Sequence, residues 1–273
     1  MSDAGVSQDS LLEVAVDAAR MAGALLRERV QRGAEREVTS KSTPTDLVSE
    51  ADLAAEHAIR ELLRERRPHD GFIGEEGGSE EGTSGLSWVV DPLDGTVNFL
   101  FGIPQWCVSV AVRDEQGTLA GAVYDANRDE LFTATRGGPA LLMAKGDEAV
   151  ELAGPPAGRG GAELATAMVA TGFAYDADVR TAQARVLARL IPRVRDIRRC
   201  GSAALDLAWT AAGRYDAYFE RTVKQWDIAA GALVCERAGL VVMELPVHEH
   251  LPWGIIVARE ELAERLFEVV AGP

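Results

Sequence analysis

The chain has 273 residues, of which 47% are hydrophobic and 26% are charged, as in an ordinary globular protein. It carries 43 acidic and 28 basic residues, so the formal net charge is −15. This charge argues against binding to nucleic acid or to an anionic membrane, since both surfaces attract clustered cations. The chain has three widely spaced cysteines, Cys107, Cys200 and Cys235. Their odd number and their spacing fit neither a disulfide framework nor a zinc site. With no signal-peptide pattern at the start and no run of roughly 20 apolar residues, the sequence predicts a cytoplasmic protein.

The N-terminal half combines two predicted helices with a run of predicted strands. Apolar residues at helical spacing predict helices over 9–34 and about 47–66, and a polar loop that contains Pro44 separates them. Short apolar or alternating segments then predict strands. These strands cover 71–74, 87–91, 105–114, 118–126 and 130–136, and the turn residues between the later ones indicate hairpins.

Strand and helix signals alternate in the C-terminal half. A stretch rich in Gly and Pro at 152–163 is the best boundary, and it divides the chain into predicted domains 1–155 and 156–273. Beyond it, strands are predicted over 165–171, 194–199, 215–220, 240–245 and 254–257, and helices over 176–190, 203–212, 226–238 and 260–270. The whole pattern predicts an α/β protein built from stacked helix and sheet layers.

Residues 88–99 carry the strongest chemical signal. An apolar strand ends on Asp91, a turn with Asp94 and Gly95 follows, and Thr96 begins a predicted helix. Two neighbouring carboxylates repel each other unless a cation lies between them, and Mg²⁺ prefers carboxylate and carbonyl oxygens. The free backbone N–H groups after the glycine would add an anion site. A cation and an anion site side by side would suit a phosphate group. The alternative is an acidic turn without any ligand.

Three other acidic segments allow the same two interpretations. Glu75 follows another short apolar strand, where the alternative is a solvated acidic loop. Asp227 lies at a predicted helix start, where it could act only as a cap. Asp52 opens the second predicted helix, where it could form no more than a capping box with Ser49.

Taken in order, Asp52, Glu75, the motif Asp91-Pro-Leu-Asp94-Gly-Thr96 and the pair Trp226-Asp227 resemble the inositol monophosphatase family of lithium-sensitive, Mg²⁺-dependent phosphatases. The resemblance covers nearly the whole chain, from about residue 10 to residue 270, and residues 200–220 are similar to bacterial members in particular. It implies the layered αβαβα sandwich of that family, a homodimer, and inhibition by lithium.

The resemblance also implies a role for each site residue. The ligands of two to three Mg²⁺ ions would be Glu75, Asp91, the carbonyl of Leu93, Asp94 and Asp227. The residues that activate the attacking water would be Thr96, Asp52 and Glu75. Contacts to the substrate would come from Gly95, Thr96, Asp94, Gly201, Ser202, Ala203, Glu220 and Asp227. Lys41 would lie on a mobile loop.

The function implied is hydrolysis of a small phosphate monoester, myo-inositol 1-phosphate or a similar polyol monophosphate, by metal-activated water. Glu220 favours a polyol, because a carboxylate accepts hydrogen bonds from hydroxyl groups. One alternative is a related phosphatase for histidinol phosphate, fructose 1,6-bisphosphate or 3′-phosphoadenosine nucleotides. Another is a catalytically silent regulatory binding protein. Residues 239–254 depart from the family pattern, so the resemblance implies no structure for this segment.

Overall fold

Helices pack on both faces of two β-sheets in a computed structural model that describes residues 7–32, 38–40, 47–156 and 163–272. Lys41 lies outside these residues. In chain order the helices are α1 (Gln8–Arg32), α2 (Glu50–Arg66), α3 (Thr96–Leu100), α4 (Ala177–Leu190), α5 (Ala203–Ala211), α6 (Gln225–Arg237) and α7 (Glu260–Val270). No helix within the described ranges combines the length and the apolar character that a bilayer crossing requires.

The strands before residue 152 form a small antiparallel pair and a large mixed sheet. The pair consists of β1 (Val38–Ser40) and β2 (Leu47–Ser49). The large sheet contains β3 (Gly71–Gly74), β4 (Gly78–Glu80), β5 (Ser87–Asp94), β6 (Cys107–Asp114), β7 (Gly117–Asp125), β8 (Glu130–Thr135), β9 (Ala140–Met143) and β10 (Val150–Glu151). Its strand order is β10-β9-β8-β7-β6-β5-β3-β4, and β3 runs parallel to β5.

The second sheet has five strands and comes from the C-terminal half. It contains β11 (Met168–Thr171), β12 (Asp196–Arg198), β13 (Ala217–Arg221), β14 (Val241–Leu245) and β15 (Gly254–Ala258), in the order β12-β11-β13-β15-β14. β11 and β13 are parallel, and Thr171 lies opposite Phe219. The carboxyl ends of these two strands therefore lie side by side.

Three groups of buried apolar side chains set the order of the layers. α1 and α2 cover the outer face of the large sheet, α5 and α6 lie between the two sheets, and α4 and α7 cover the outer face of the second sheet. Strand β6 shows the alternation, because Val108 and Val110 face α1 whereas Cys107 and Ala111 belong to the cluster around α5 and α6. The predicted αβαβα sandwich is confirmed.

The longer helices and the apolar strands lie where their periodicity predicts, within a few residues. The helix predicted over 47–66 begins instead at Glu50, because residues 47–49 form β2. The strand predicted over 194–199 is only Asp196–Arg198. β1, the short apolar strand β9, β4 and β10 have no counterpart in the prediction. All residues of β4 and β10 are exposed and show no apolar alternation. The division into domains 1–155 and 156–273 stays a prediction.

The contact between β7 and α6 leaves no space for a side chain at Gly121, where a Cβ would lie 2.8 Å from the Cα of Ala230. Because this neighbour is backbone, we expect Gly121→Ala to lower the free energy of unfolding by about 1–3 kcal/mol in urea titrations. The matched control is Gly137→Ala, whose Cβ would lie 3.4 Å from the Gln8 side chain, an ordinary contact. Equal losses in both variants would contradict close packing of α6 on the sheet.

Candidate active site

The acidic turn at the end of β5 depends on a glycine. β5 continues to Asp94, three residues beyond the predicted end at Asp91, and its pairing with β6 is interrupted between these two acids. Gly95 follows with a φ of 98°, and a Cβ there would lie 2.9 Å from the carbonyl oxygen of Gln105. Both the positive φ and the close backbone favour glycine at this position, and Thr96 then begins α3.

Three donors from the C-terminal half hold the carboxylate of Asp94. The Ser202 hydroxyl and the backbone N–H of Ala204 each donate to Oδ2 at 2.7 Å, and the N–H of Ala203 donates to Oδ1 at 3.2 Å. Burial raises the pKa of Asp94 to about 6, although these hydrogen bonds lower it. Ser202 and Ala203 therefore lie at the acidic turn as predicted, and their contact with substrate stays a prediction.

Asn98 on α3 joins the same two segments through backbone contacts. Its Nδ2 donates to the carbonyl oxygens of Gln105 at 2.7 Å and Cys200 at 2.8 Å. Gly201 has a φ of 86°, and a Cβ there would lie 3.1 Å from the same Nδ2. These contacts fix the turn that carries Gly201 and Ser202 against α3.

Thr96 is bonded to the predicted partner from α2. Its hydroxyl donates to Asp52 Oδ1 at 2.8 Å and also lies 3.1 Å from the carbonyl oxygen of Leu93. Asp52 is fully buried and Thr96 is only 9% exposed. Asp52 therefore orients a hydroxyl group in the acidic turn.

Four of the predicted cation ligands lie within electrostatic reach of one another. Burial is the largest cause of the raised pKa of Asp91, and the charges of Glu75, Asp94 and Asp227 raise it further. The pKa of Asp227 is raised by burial and then by Asp94, and Glu75 adds to this effect. The fold therefore brings together acids from the β3–β4 turn, the end of β5 and the start of α6.

The turn that carries Glu75 is shaped by Glu56 of α2, which the sequence analysis missed. The Glu56 carboxylate accepts a hydrogen bond from the backbone N–H of Glu76 at 2.8 Å. A Cβ on Gly74 would lie 2.4 Å from one oxygen of this carboxylate, and a Cβ on Gly77 would lie 2.5 Å from the other. The glycines on both sides of Glu75 are the sequence signal for such a close approach.

Two hydrogen bonds position Asp227 at the start of α6. The backbone N–H of Lys224 donates to Asp227 Oδ2 at 2.6 Å, so the capping role left open by the sequence is present. The Ser109 hydroxyl of β6 donates to the carbonyl oxygen of Trp226 at 3.2 Å, which fastens the first turn of α6 to the large sheet. The acid therefore caps its helix and also faces the other acids.

The donor set fits a hard divalent cation. Carboxylates that raise one another's pKa, together with the Leu93 carbonyl, are the oxygen ligands that Mg²⁺ prefers. Across the described ranges, no three His, Cys, Asp or Glu side chains form a ready-made metal cluster. Asp94 and Asp227 accept hydrogen bonds from Ser202 and from the backbone N–H of Lys224, respectively.

Glu220, the predicted polyol contact, lies at the end of β13 and is partly exposed. The Tyr218 hydroxyl donates to Glu220 Oε2 at 3.0 Å. Burial raises the pKa of Glu220 to about 7, Tyr218 and the charge of Arg199 lower it, and Asp94 raises it further. The influence of Asp94 indicates that Glu220 borders the acidic group.

The sequence analysis missed Tyr218, Arg199 and Asp206 near Glu220. Asp206 is 1% exposed, and neither carboxylate oxygen has a hydrogen-bond partner in the described part of the chain. A single acid within the apolar run of α5 and a tyrosine two residues before Glu220 were the available signals.

Several known proteins are similar to this chain in sequence and in fold. The profile described as "Inositol monophosphatase family" matches residues 7–271. "Inositol-1-monophosphatase SuhB" of Mycobacterium tuberculosis is 42% identical over 212 residues, covering 76% of this chain and 71% of that protein. "Nus factor SuhB" of Escherichia coli K12 is 40% identical over 254 residues, covering 91% of this chain and 90% of that protein. The crystal structure of extragenic suppressor protein suhB from Bartonella henselae superposes with a TM-score of 0.84 at 34% identity, covering 96% of this chain and 98% of that one.

We expect Asp94 to make the metal-free protein less stable as the pH rises. The pKa of Asp94 is about 6 in the folded chain against an ordinary 3.8. Its stabilising contribution to folding is therefore fully present below pH 3.8 and is lost as the pH rises through 6. Urea unfolding in a chelator should show Asp94→Asn gaining about 2–3 kcal/mol relative to wild type between about pH 4 and about pH 7.5.

The control for this measurement is Asp114→Asn. Its carboxyl pKa is lowered, chiefly by hydrogen bonds from Arg136, so this variant should gain no stability over the same range. A constant difference between Asp94→Asn and wild type would contradict the raised pKa of Asp94.

Proposed function

The chain belongs to the inositol monophosphatase family, and from that premise we propose that it is a Mg²⁺-dependent phosphomonoesterase that hydrolyses myo-inositol 1-phosphate or a similar polyol monophosphate. The observation that carries the proposal is the convergence of acids on the buried turn of Asp91 and Asp94, where the charges of Glu75, Asp94 and Asp227 raise the pKa of Asp91. A phosphate monoester is a dianion, so an acidic site of this kind binds it only together with cations.

The residues that would hold two to three Mg²⁺ ions are Glu75, Asp91, Leu93 through its carbonyl, Asp94 and Asp227. When bound, the ions supply positive charge to the phosphate oxygens and to the leaving oxygen. A ligand set of carboxylate and carbonyl oxygens favours Mg²⁺ over zinc, which is more often held by His and Cys.

Thr96 and Asp52 would handle the proton of the attacking water. Because the Thr96 hydroxyl donates to Asp52, its free lone pair can accept a hydrogen bond from a water molecule. As the water attacks phosphorus and the ester P–O bond breaks, the water proton can pass to Thr96 Oγ1 while the threonine proton passes to Asp52 Oδ1, and the leaving alkoxide takes up a proton from solvent. We assign Glu75 a place beside this water, since its charge acts on Asp91 next to the same turn.

The remaining contacts would orient the substrate. The backbone N–H groups of Gly95 and Thr96 would bind phosphate oxygens. The polyol hydroxyls would face Glu220, Asp94 and Asp227, together with the turn of Gly201, Ser202 and Ala203. Glu220 supports a polyol, because an ionised carboxylate accepts hydrogen bonds and hydroxyl groups donate them.

The name Nus factor, which the relative from Escherichia coli carries, favours a second candidate function. In that case the chain would bind another macromolecule instead of turning over a phosphate ester. The acidic group argues for catalysis, because a protein that only binds a partner gains nothing from buried acids that repel one another. The net charge of −15 also disfavours a nucleic acid as that partner.

We further propose that the protein is a cytoplasmic homodimer. The three cysteines are free thiols, and Cys107 and Cys235 are buried, which suits a reducing compartment. Light scattering of the purified chain would measure its mass in solution, and a monomer would overturn the proposed dimer.

Release of phosphate from a panel of substrates tests the proposed activity. The panel holds myo-inositol 1-phosphate, histidinol phosphate, fructose 1,6-bisphosphate and a 3′-phosphoadenosine nucleotide, each with Mg²⁺, with chelator and with added lithium. We expect inositol 1-phosphate to give the highest kcat/KM and both chelator and lithium to inhibit. Faster hydrolysis of another substrate would change the substrate assignment, and no release from any of them would favour the binding function.

Replacement of Thr96 tests the proton path. Thr96→Val keeps the shape of the side chain but removes the hydroxyl that donates to Asp52, so we expect kcat to fall by about 10²–10⁴. Thr96→Ser keeps the hydroxyl and should retain most of the activity. Steady-state rates and circular dichroism of both variants would show the effect, and equal activity of the two would remove Thr96 from the mechanism.

A further inference from the structure

The carboxylate of Glu220 occupies the space that a side chain at position 172 would otherwise fill. β11 and β13 pair in parallel with Thr171 opposite Phe219, so Gly172 and Glu220 are neighbours at the carboxyl ends of the two strands. A Cβ on Gly172 would lie 2.0 Å from Cδ and Oε1 of Glu220 and 2.1 Å from Oε2. Any residue other than glycine would therefore displace the whole carboxylate.

Tyr218 holds the same carboxylate from within its own strand. Residues two apart in a strand project from the same face, so the Tyr218 ring lies beside Glu220. Its hydroxyl donates to Glu220 Oε2 at 3.0 Å, and the ring is 0% exposed. Because the tyrosine is packed on every side, it can fix the position of a glutamate that is itself partly exposed.

Charges of both signs act on the Glu220 carboxylate. Arg199 favours its ionised form, whereas the negative charge of Asp94 opposes it. Glu220 in turn raises the pKa of Asp206, whose two carboxylate oxygens are buried and have no hydrogen-bond partner among the described residues. Attraction toward Arg199 and repulsion from Asp94 restrict where the Glu220 carboxylate can lie.

We propose that Gly172 and Tyr218 are positioning residues that clamp Glu220 toward the substrate, and that this clamp selects phosphate esters with neighbouring hydroxyl groups over esters without them. The inference rests on the proposed function. A site built to hydrogen-bond a substrate hydroxyl discriminates strongly only while its own polar group is held in place.

The kinetic test compares myo-inositol 1-phosphate with p-nitrophenyl phosphate, which has no hydroxyl group from which Glu220 could accept a hydrogen bond. For inositol 1-phosphate we expect KM to rise about tenfold in Gly172→Ala and about threefold in Tyr218→Phe, with little change in kcat. For p-nitrophenyl phosphate, both constants should stay within about twofold of wild type. A parallel loss with both substrates would overturn the selective role.

Two matched controls separate the clamp from general damage. Gly137→Ala adds the same methyl group away from the site, and Tyr124→Phe removes another buried hydroxyl, which donates to Asp129 at 2.8 Å. Neither control should change KM for inositol 1-phosphate. An increase equal to that of the clamp variants would overturn the proposal.

A double substitution asks whether Gly172 acts through Glu220. Glu220→Gln alone should raise KM for inositol 1-phosphate, and adding Gly172→Ala should raise it little further, because the two changes disturb one contact. Multiplied effects would mean that Gly172 acts independently and would overturn the clamp.

Crystal structures of wild type and Gly172→Ala test the clamp without turnover. We expect the wild-type Glu220 carboxylate within hydrogen-bond distance of Tyr218 and a displaced carboxylate in the variant. An unmoved carboxylate would overturn the clamp even if the phosphatase activity is present. Absence of phosphate release from both substrates in wild type would instead overturn the proposed function, and with it the selection, while the crystallographic test of the clamp still holds.

Discussion

The hydrogen bonding of Asp94 is the interaction on which the candidate site depends. One carboxylate from the end of β5 accepts hydrogen bonds from Ser202, Ala203 and Ala204 at the start of α5. These bonds join the two halves of the chain at the point where the acids meet. Since the acidic turn lies in one half and Asp227 and Glu220 lie in the other, this contact helps to hold the proposed cation ligands beside the proposed substrate contacts. Asn98 supports the same junction through the carbonyl oxygens of Gln105 and Cys200.

The cluster of acids at the candidate site lowers the free energy of unfolding. Burial and mutual repulsion raise the pKa values of Asp91, Asp94 and Asp227, so the ionised forms oppose folding near neutral pH. The surrounding layers compensate with buried apolar surface on both sides of each sheet. A cation that binds the folded chain would relieve the repulsion and stabilise it. Functional sites often hold such locally unfavourable arrangements, which the rest of the fold must support.

Local sequence patterns predicted stacked helix and sheet layers and identified the candidate acids, whose joint role was implied only by the family resemblance, and they did not predict contacts between strands. The turn at Asp91–Thr96 combines an apolar strand, a glycine and a helix start, all within a few residues, so it could be predicted. Tyr218 could be placed on the same face as Glu220, but its neighbour Gly172 depends on the register of β11 and β13, which the sequence does not state. Exposed edge strands such as β4 were missed because backbone pairing, not apolar alternation, defines them.

The Ser109–Trp226 hydrogen bond has a consequence for synthesis of the chain. It fastens α6, the last element to bring a proposed cation ligand, onto a sheet that is complete once β10 has formed. More than half of the chain separates Glu75 from Asp227. A nascent chain that has left the ribosome only as far as β10 therefore lacks Asp227, which is still to be translated. Under the proposed function, the full set of cation ligands would form only after α6 has been synthesised, so that activity would report translation at least as far as this helix.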